Sequence, residues 1–322
     1  MSSPQNASSP REAMNAVRKE IGKAVIGQDA AVSGLLVALL CRGHVLIEGV
    51  PGVAKTLLVR ALAASLGLRS TRVQFTPDLM PSDITGSIIY HAAAERFSFR
   101  EGPVFTNLLI ADEINRTPPK TQSALLEAME ERQVTADGES RMLPDPFVVV
   151  ATQNPVEQEG TYSLPEAQLD RFLLKLTMGL PPREDETGLV ARHMAGFDPH
   201  DLAGAGVRVV ASAADLAAAR EEVRGVTVGE EIVGYGVDLC RATRAVPAVQ
   251  LGVSPRGATA LLHAARAWAW LVGRDYVTPD DVKAIARPAL RHRLGLRPEA
   301  EMDGTTAEGV LDHVLATVAV PR

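Results

Sequence analysis

Four side chains in this chain could work together on a phosphate: Lys55, Thr56, Asp112 and Glu113. The first two lie in Glu48-Gly49-Val50-Pro51-Gly52-Val53-Ala54-Lys55-Thr56, between the apolar run His44-Val45-Leu46-Ile47 and Leu57-Leu58-Val59-Arg60. That order predicts a strand, a tight turn and a helix. The spacing fits the phosphate-binding loop G-x-x-x-x-G-K-[ST], with Ala54 in place of the second glycine. In such a loop backbone N–H groups of the turn point at a polyphosphate, and the helix N-terminus adds a favourable dipole. The candidate contacts are Gly49, Val50, Pro51, Gly52, Val53, Ala54, Lys55, Thr56 and Leu57. Lys55 can reach the β- and γ-phosphates, and the Thr56 hydroxyl can ligate Mg²⁺. Alanine resists positive φ, so the loop either holds Ala54 at negative φ or carries strain.

Asp112 and Glu113 end the apolar run Asn107-Leu108-Leu109-Ile110-Ala111. Carboxylates at the C-terminal end of a buried parallel strand face the crevice where open α/β sheets bind ligands. Asp112 can hold the Mg²⁺ shell, and Glu113 can act as general base toward an attacking water. Read alone, the pair is equally a solvated helix start. The upstream loop weighs for the site. A further run, Phe147-Val148-Val149-Val150-Ala151-Thr152, ends at Gln153-Asn154-Pro155. There the Asn154 amide can meet a γ-phosphate, or the Asn-Pro pair simply turns the chain. Arg171, in Asp170-Arg171-Phe172, can stabilise transferred charge across a subunit boundary, although by spacing alone it reads as a surface ion pair. Arg256 opens a helix at Ser254-Pro255-Arg256, against the helix dipole. It reads as a phosphate contact or as an exposed arginine with equal weight.

Elements must bring these residues together. Helices are expected at about 11–24 and 28–42, after a flexible tail over residues 1–10. Val73-Gln74-Phe75 is a short strand, Leu173–Leu176 the last one. Hairpins are expected at about 86–99 and, around Asp137-Gly138, at about 133–146. Beyond Leu180-Pro181-Pro182 the chain reads as helical, at about 183–194, 213–224, 230–244, 255–272, 279–287 and 306–317. The fold class is therefore α/β: a parallel sheet flanked by helices over 11–182, then a smaller all-α lid over 183–322.

The 322 residues supply ample core, with 46% hydrophobic, 22% charged and net charge −6. An acidic balance and 4% aromatics argue against a chain that coats nucleic acid. Cys41 and Cys240, far apart in apolar contexts, read as reduced buried thiols. The N-terminus lacks the apolar core of a signal peptide, and no run is long enough to span a bilayer; a cytoplasmic location is expected.

Together these stretches resemble the AAA+ ATPases and, within them, the MoxR family. The resemblance covers about residues 11–320. It is carried by the phosphate loop and by Val25-Ile26-Gly27-Gln28, Asp78-Leu79-Met80-Pro81-Ser82-Asp83-Ile84-Thr85-Gly86, Ala111-Asp112-Glu113-Ile114-Asn115-Arg116, Glu157–Tyr162, Glu166–Phe172 and Ser254-Pro255-Arg256-Gly257. It implies Lys55 and Thr56 as Walker A, Asp112 and Glu113 as Walker B, Asn154 as sensor 1, Arg171 as arginine finger and Arg256 as sensor 2. Gln28 would lie by the adenine, and Arg116 would face a neighbouring subunit. The hairpins would be the helix-2 insert and the pre-sensor-1 hairpin. The implied cofactors are ATP and Mg²⁺. The implied assembly is a homo-hexameric ring with ATP between protomers. The implied partners are client proteins, often with von Willebrand factor A domains, or metal-dependent enzymes under maturation. The alternatives are a nucleic-acid-translocating motor, a chelatase-like subunit or a non-hydrolysing nucleotide switch.

Overall fold

The computed structural model describes residues 9–136, 138–154 and 160–321. Helix α1 (Pro10–Ile21) starts one residue inside the stretch expected as a tail, because Ser9 and Glu12 form a capping box and Pro10 suits the first turn. The rest of that stretch, residues 1–8, lies outside the described residues. Helix α2 (Asp29–Leu40) is buried nearly all round, followed by β1 (His44–Gly49), α3 (Lys55–Ser65) and β2 (Ser70–Gln74). A short α4 (Pro81–Thr85) precedes the first hairpin, β3 (Gly86–His91) with β4 (Arg96–Glu101). Strand β5 (Leu108–Asp112), helix α5 (Pro119–Glu131) and the second hairpin, β6 (Gln133–Ala136) with β7 (Glu139–Met142), come next. Strand β8 (Val148–Gln153), α6 (Glu166–Leu169) and β9 (Phe172–Met178) complete the α/β part.

The sheet is parallel throughout, in the order β2-β5-β8-β1-β9. Its three central strands, β5, β8 and β1, read as near-continuous apolar runs because both faces are covered, whereas the edge strand β2 is mostly polar. Alternate residues therefore enter two different cores. Val45, Ile47, Leu108, Ile110, Val148 and Val150 join the helices α1–α3. Leu46, Leu109, Ala111, Val149 and Ala151 join the side packed by α5. His44 begins β1 buried, with Nε2 against Met129 O at 3.1 Å and Nδ1 accepting from Val149 N at 2.9 Å. Burial pushes its pKa down to about 4.

Helix α7 (Arg183–Met194) follows, then α8 (Ala213–Gly225), α9 (Glu230–Ala245), β10 (Val249–Leu251), α10 (Pro255–Leu271), α11 (Pro279–Leu290), β11 (Gly295–Leu296), α12 (Pro298–Met302) and α13 (Ala307–Thr317). From α8 onward this is a small lid, helical but for the β10–β11 pair. It packs through α8 and α10 on α1 and α2, and through α11 on β9. Arg293 clasps that joint: buried itself, it donates to Asp170 Oδ1 at 2.6 Å and to the carbonyls of Phe172 and Leu173. Both cysteines are free thiols; burial pushes Cys41 up to about 12 and Cys240 to about 11.

Candidate nucleotide site

The strand register determines which groups meet at the C-terminal edge of the sheet. Residues 108, 110 and 112 alternate onto the α3 face, as do 148, 150 and 152. Asp112 and Thr152 therefore project to the same side, next to the loop between β1 and α3. Gln74 pairs in register with Asp112, and Arg72 with Ile110, so the polar positions of edge strand β2 fall on that side too.

The loop itself is tight. A Cβ on Gly49 would run into Met178 O, and Gly52 sits at φ +89. Ala54 takes φ 66, ψ 25. Of the two conformations open to it, the loop adopts the strained left-handed one. Lys55 opens α3 and folds its ammonium back onto the carbonyls of Gly49 and Val50. Val53 is buried, while Pro51, Gly52, Ala54, Lys55, Thr56 and Leu57 line a cavity of about 520 Å³. Asp112, Glu113 and Asn154 line the same cavity.

The acid pair is held from several sides. Thr152 Oγ1 donates to Asp112 Oδ1 and accepts the Glu113 N–H at 3.0 Å. Arg72 donates to Asp112 Oδ2 from Nε at 2.9 Å and from Nη2 at 2.6 Å. The same Nη2 reaches Gln74 Oε1 at 2.7 Å, and Gln74 Nε2 donates to Glu113 Oε2 at 2.7 Å. Arg116 Nη1 lies 3.1 Å from that carboxylate. Glu113 stands at φ 57, a second left-handed residue at the cavity. Strained backbone of this kind gathers at functional sites.

The far end of the cavity comes from Ile26, a neighbour of Gln28 in the Val25–Gln28 stretch that carries the resemblance, and from residues that no local pattern singles out: Leu189, His193, Phe197, Pro199 and His200. Phe197 meets His193 edge-on at 5.2 Å and carries the Arg192 guanidinium over its ring at 4.9 Å. Arg60, on α3, donates to Pro199 O and His200 O and fixes that segment. Gln28 is not among the lining residues; its amide donates to Gly179 O at 2.9 Å.

Arg171 and Arg256 line a different cavity of the same chain, about 380 Å³ in volume. Both grip Glu130: Arg171 Nε at 3.0 Å from Oε2 and Arg256 Nη1 at 3.3 Å from Oε1. Five arginines (42, 132, 171, 256 and 293) face two carboxylates there, those of Glu130 and Asp170. Within one chain, Arg256 therefore does not join Lys55 at the phosphate loop.

Two signals were available for part of what the sequence reading left out. Arg72 and Gln74 are polar positions two apart on a strand whose middle residue, Val73, is buried, a half-buried edge strand aimed at the acid pair. Thr152 follows the alternation of β8. Residues 189–200 offered none: α7 buries no residue at all.

A five-stranded parallel sheet in this order, a phosphate loop after β1 and an acid pair after β5 define an AAA-type ATPase. The model for the ATPase family associated with various cellular activities (AAA) matches residues 44–174, and that for the AAA lid domain matches residues 241–314. The chain is 49% identical over 303 residues to the uncharacterized protein YeaC of Bacillus subtilis, covering 94% of this chain and 93% of that one. It is 45% identical over 312 residues to the chaperone MoxR1 of Mycobacterium tuberculosis, covering 94% and 81% respectively. A solved structure of a putative ATPase from Cytophaga hutchinsonii superposes with TM-score 0.88 at 40% identity, over 97% of this chain and 96% of that one. The chain belongs to the MoxR family of AAA+ ATPases.

Proposed function

We propose that this protein binds ATP with Mg²⁺ in the 520 Å³ cavity, hydrolyses it, and uses the cycle to remodel or mature client proteins. The observation that carries this is the convergence of Lys55, Thr56, Asp112, Glu113 and Asn154 on one cavity. Thr56 and Asp112 offer hard oxygen donors, which suit Mg²⁺. Among the described residues no group of three His, Cys, Asp or Glu could hold a metal. This fits an ion held by one carboxylate, one hydroxyl and the phosphates of its nucleotide. When bound, that ion would neutralise charge on the phosphates.

The chain's own residues do the rest. The N–H groups of the loop and the Lys55 ammonium bind the polyphosphate. Glu113 takes the proton of the attacking water. Asn154, buried beside the cavity, presents its amide to the terminal phosphate. The apolar end formed by Ile26, Leu189 and Phe197 accepts the base and keeps water from it. Arg171 and Arg256 share Glu130 in a basic cavity apart from this one, which favours their serving a neighbour's nucleotide in a ring of six. Arg116, beside Glu113, is placed to respond to that neighbour. The core ends near residue 182 in this reading, with α7 as the wall between nucleotide and lid.

Chaperone-like work on client proteins is supported by the similarity to MoxR1, named as a chaperone; von Willebrand factor A domain proteins and metal-dependent enzymes are the clients we propose from the family resemblance. The first hairpin also presents Ile88, Tyr90 and Phe97 to solvent, an apolar surface better suited to polypeptide than to a phosphate backbone. Arg141 of the second hairpin is tied to Glu139 and stacked on Phe99. Expectations resting on Asp137 and on residues 155–159 fall outside the described residues.

The test measures nucleotide binding and turnover in parallel. Lys55→Ala should lose both. Glu113→Gln should bind ATP as the wild type does and turn it over about 100-fold or more slowly. Wild-type turnover in Glu113→Gln, or undiminished binding in Lys55→Ala, would refute the reading.

A further inference from the structure

Asp112 already has a cation. Its Oδ2 receives two donors from the Arg72 guanidinium, and its Oδ1 receives the Thr152 hydroxyl. The carboxylate is nearly buried, with 12% of its side chain exposed, whereas Arg72 is 52% exposed and lines the cavity. The two sides of Asp112 are therefore unlike. Thr152 holds it from within the sheet, and Arg72 from the cavity. Arg72 is also held in line by a second acceptor, Gln74 Oε1. It stands on β2, the edge strand of the sheet, where a long side chain has room to turn away.

We propose that Arg72 is the resident counter-cation of Asp112, that it competes with Mg²⁺ for this carboxylate, and that it sets the magnesium concentration at which the cavity accepts its metal–nucleotide complex. The proposal rests on the reading of this cavity as a Mg²⁺–ATP site. A divalent ion beside an undisplaced guanidinium meets like charge within a few ångströms, in a partly buried setting where water screens it poorly. The guanidinium must therefore move for the ion to bind. With Arg72 seated, the carboxylate is neutralised and aligned without metal, and the loop can stay formed when magnesium is scarce. Arg72 is in this sense a positioning residue, acting through Asp112.

The test is a titration of Mg²⁺ against a fixed concentration of protein and a fluorescent ATP analogue, read as binding and independent of turnover. Arg72→Met and Arg72→Gln remove the charge at a half-exposed position, and thermal melts check that each still folds. In both, the Mg²⁺ concentration giving half the metal-dependent binding should fall about fivefold. Binding in excess EDTA should become no tighter. Arg72→Lys keeps the charge but loses the paired donors, so its midpoint should fall between the wild type and the neutral variants. A midpoint unchanged or raised in both neutral variants, with folding and nucleotide binding intact, would overturn the proposal while leaving the nucleotide site standing. A folded wild type that takes up no analogue at any Mg²⁺ concentration would overturn the nucleotide reading itself, and this proposal with it.

Discussion

Replacing Ala54 by glycine should stabilise this protein, in keeping with the preference for glycine over alanine at a helix N-cap. Ala54 stands at φ 66, ψ 25, directly before α3. Holding an L-residue there costs about 1–2 kcal/mol. Glycine removes that cost but brings extra freedom to the unfolded chain, which returns about 0.5–1 kcal/mol. The difference, about 0.5–1 kcal/mol, corresponds to a rise of about 1 °C in the thermal midpoint of a chain of 322 residues. A β-branched residue tolerates positive φ worse than alanine does. Ala54→Val, adding about 1–2 kcal/mol of strain, should therefore lower the midpoint by about 1–3 °C. Both are read by differential scanning calorimetry without nucleotide, alongside titrations with a fluorescent ATP analogue that separate stability from affinity. A lowered midpoint in Ala54→Gly, or an unchanged one in Ala54→Val, would show that the loop does not carry the left-handed strain.

Three other perturbations reach different parts of the chain. Arg171→Ala should bind ATP yet hydrolyse little, and mixing it with Lys55→Ala should restore part of the activity; no rescue in verified mixed assemblies would argue against a shared site. Phe197→Ala should weaken nucleotide binding about tenfold while leaving turnover at saturation near the wild-type value, as measured by titration and steady-state kinetics. Stability should fall as the pH drops from about 6.5 toward 4. His44 stays neutral in the fold to about pH 4 but takes a proton near 6.5 once unfolded, so the unfolded state binds more protons in that window. The loss from His44 is about 3 kcal/mol, and buried His292, also pushed down by desolvation, adds in the same direction. Denaturant melts at pH 7 and pH 4.5 would check it, and a His44→Gln chain with an undiminished pH slope would count against His44 as the source.

Elements that carry their own signals were legible in the sequence. Thr278-Pro279-Asp280-Asp281 reads as a helix start, and the structure has a full capping box there. Helix α7 spans the residues expected, and both expected hairpins form, the second around Gly138 and the first across a single helical turn at Ala92–Ala94 that no turn residue marks. Elements that depend on distant partners were not. Strands β10 and β11 are two or three residues each and exist only by pairing across the intervening helices α10 and α11. Helices α4, α6 and α12, of four or five residues, are too short to show a period. The site divides along the same line. Asp112 and Glu113 announce themselves because an apolar strand ends abruptly in charge. Phe197 and its neighbours lie at the cavity only because α7 folds back over the loop, which no local pattern encodes. The positive φ of Ala54 is likewise not announced by the residue, whose type disfavours it.

Helix α1 leans on α3, which begins at the phosphate loop, and also on α8 of the lid. Arg293 fastens the lid's other flank to β9. Bracing at both flanks opposes a hinge between core and lid. On the proposed reading of the cavity, a shift begun at the nucleotide would pass from core to lid through both braces at once.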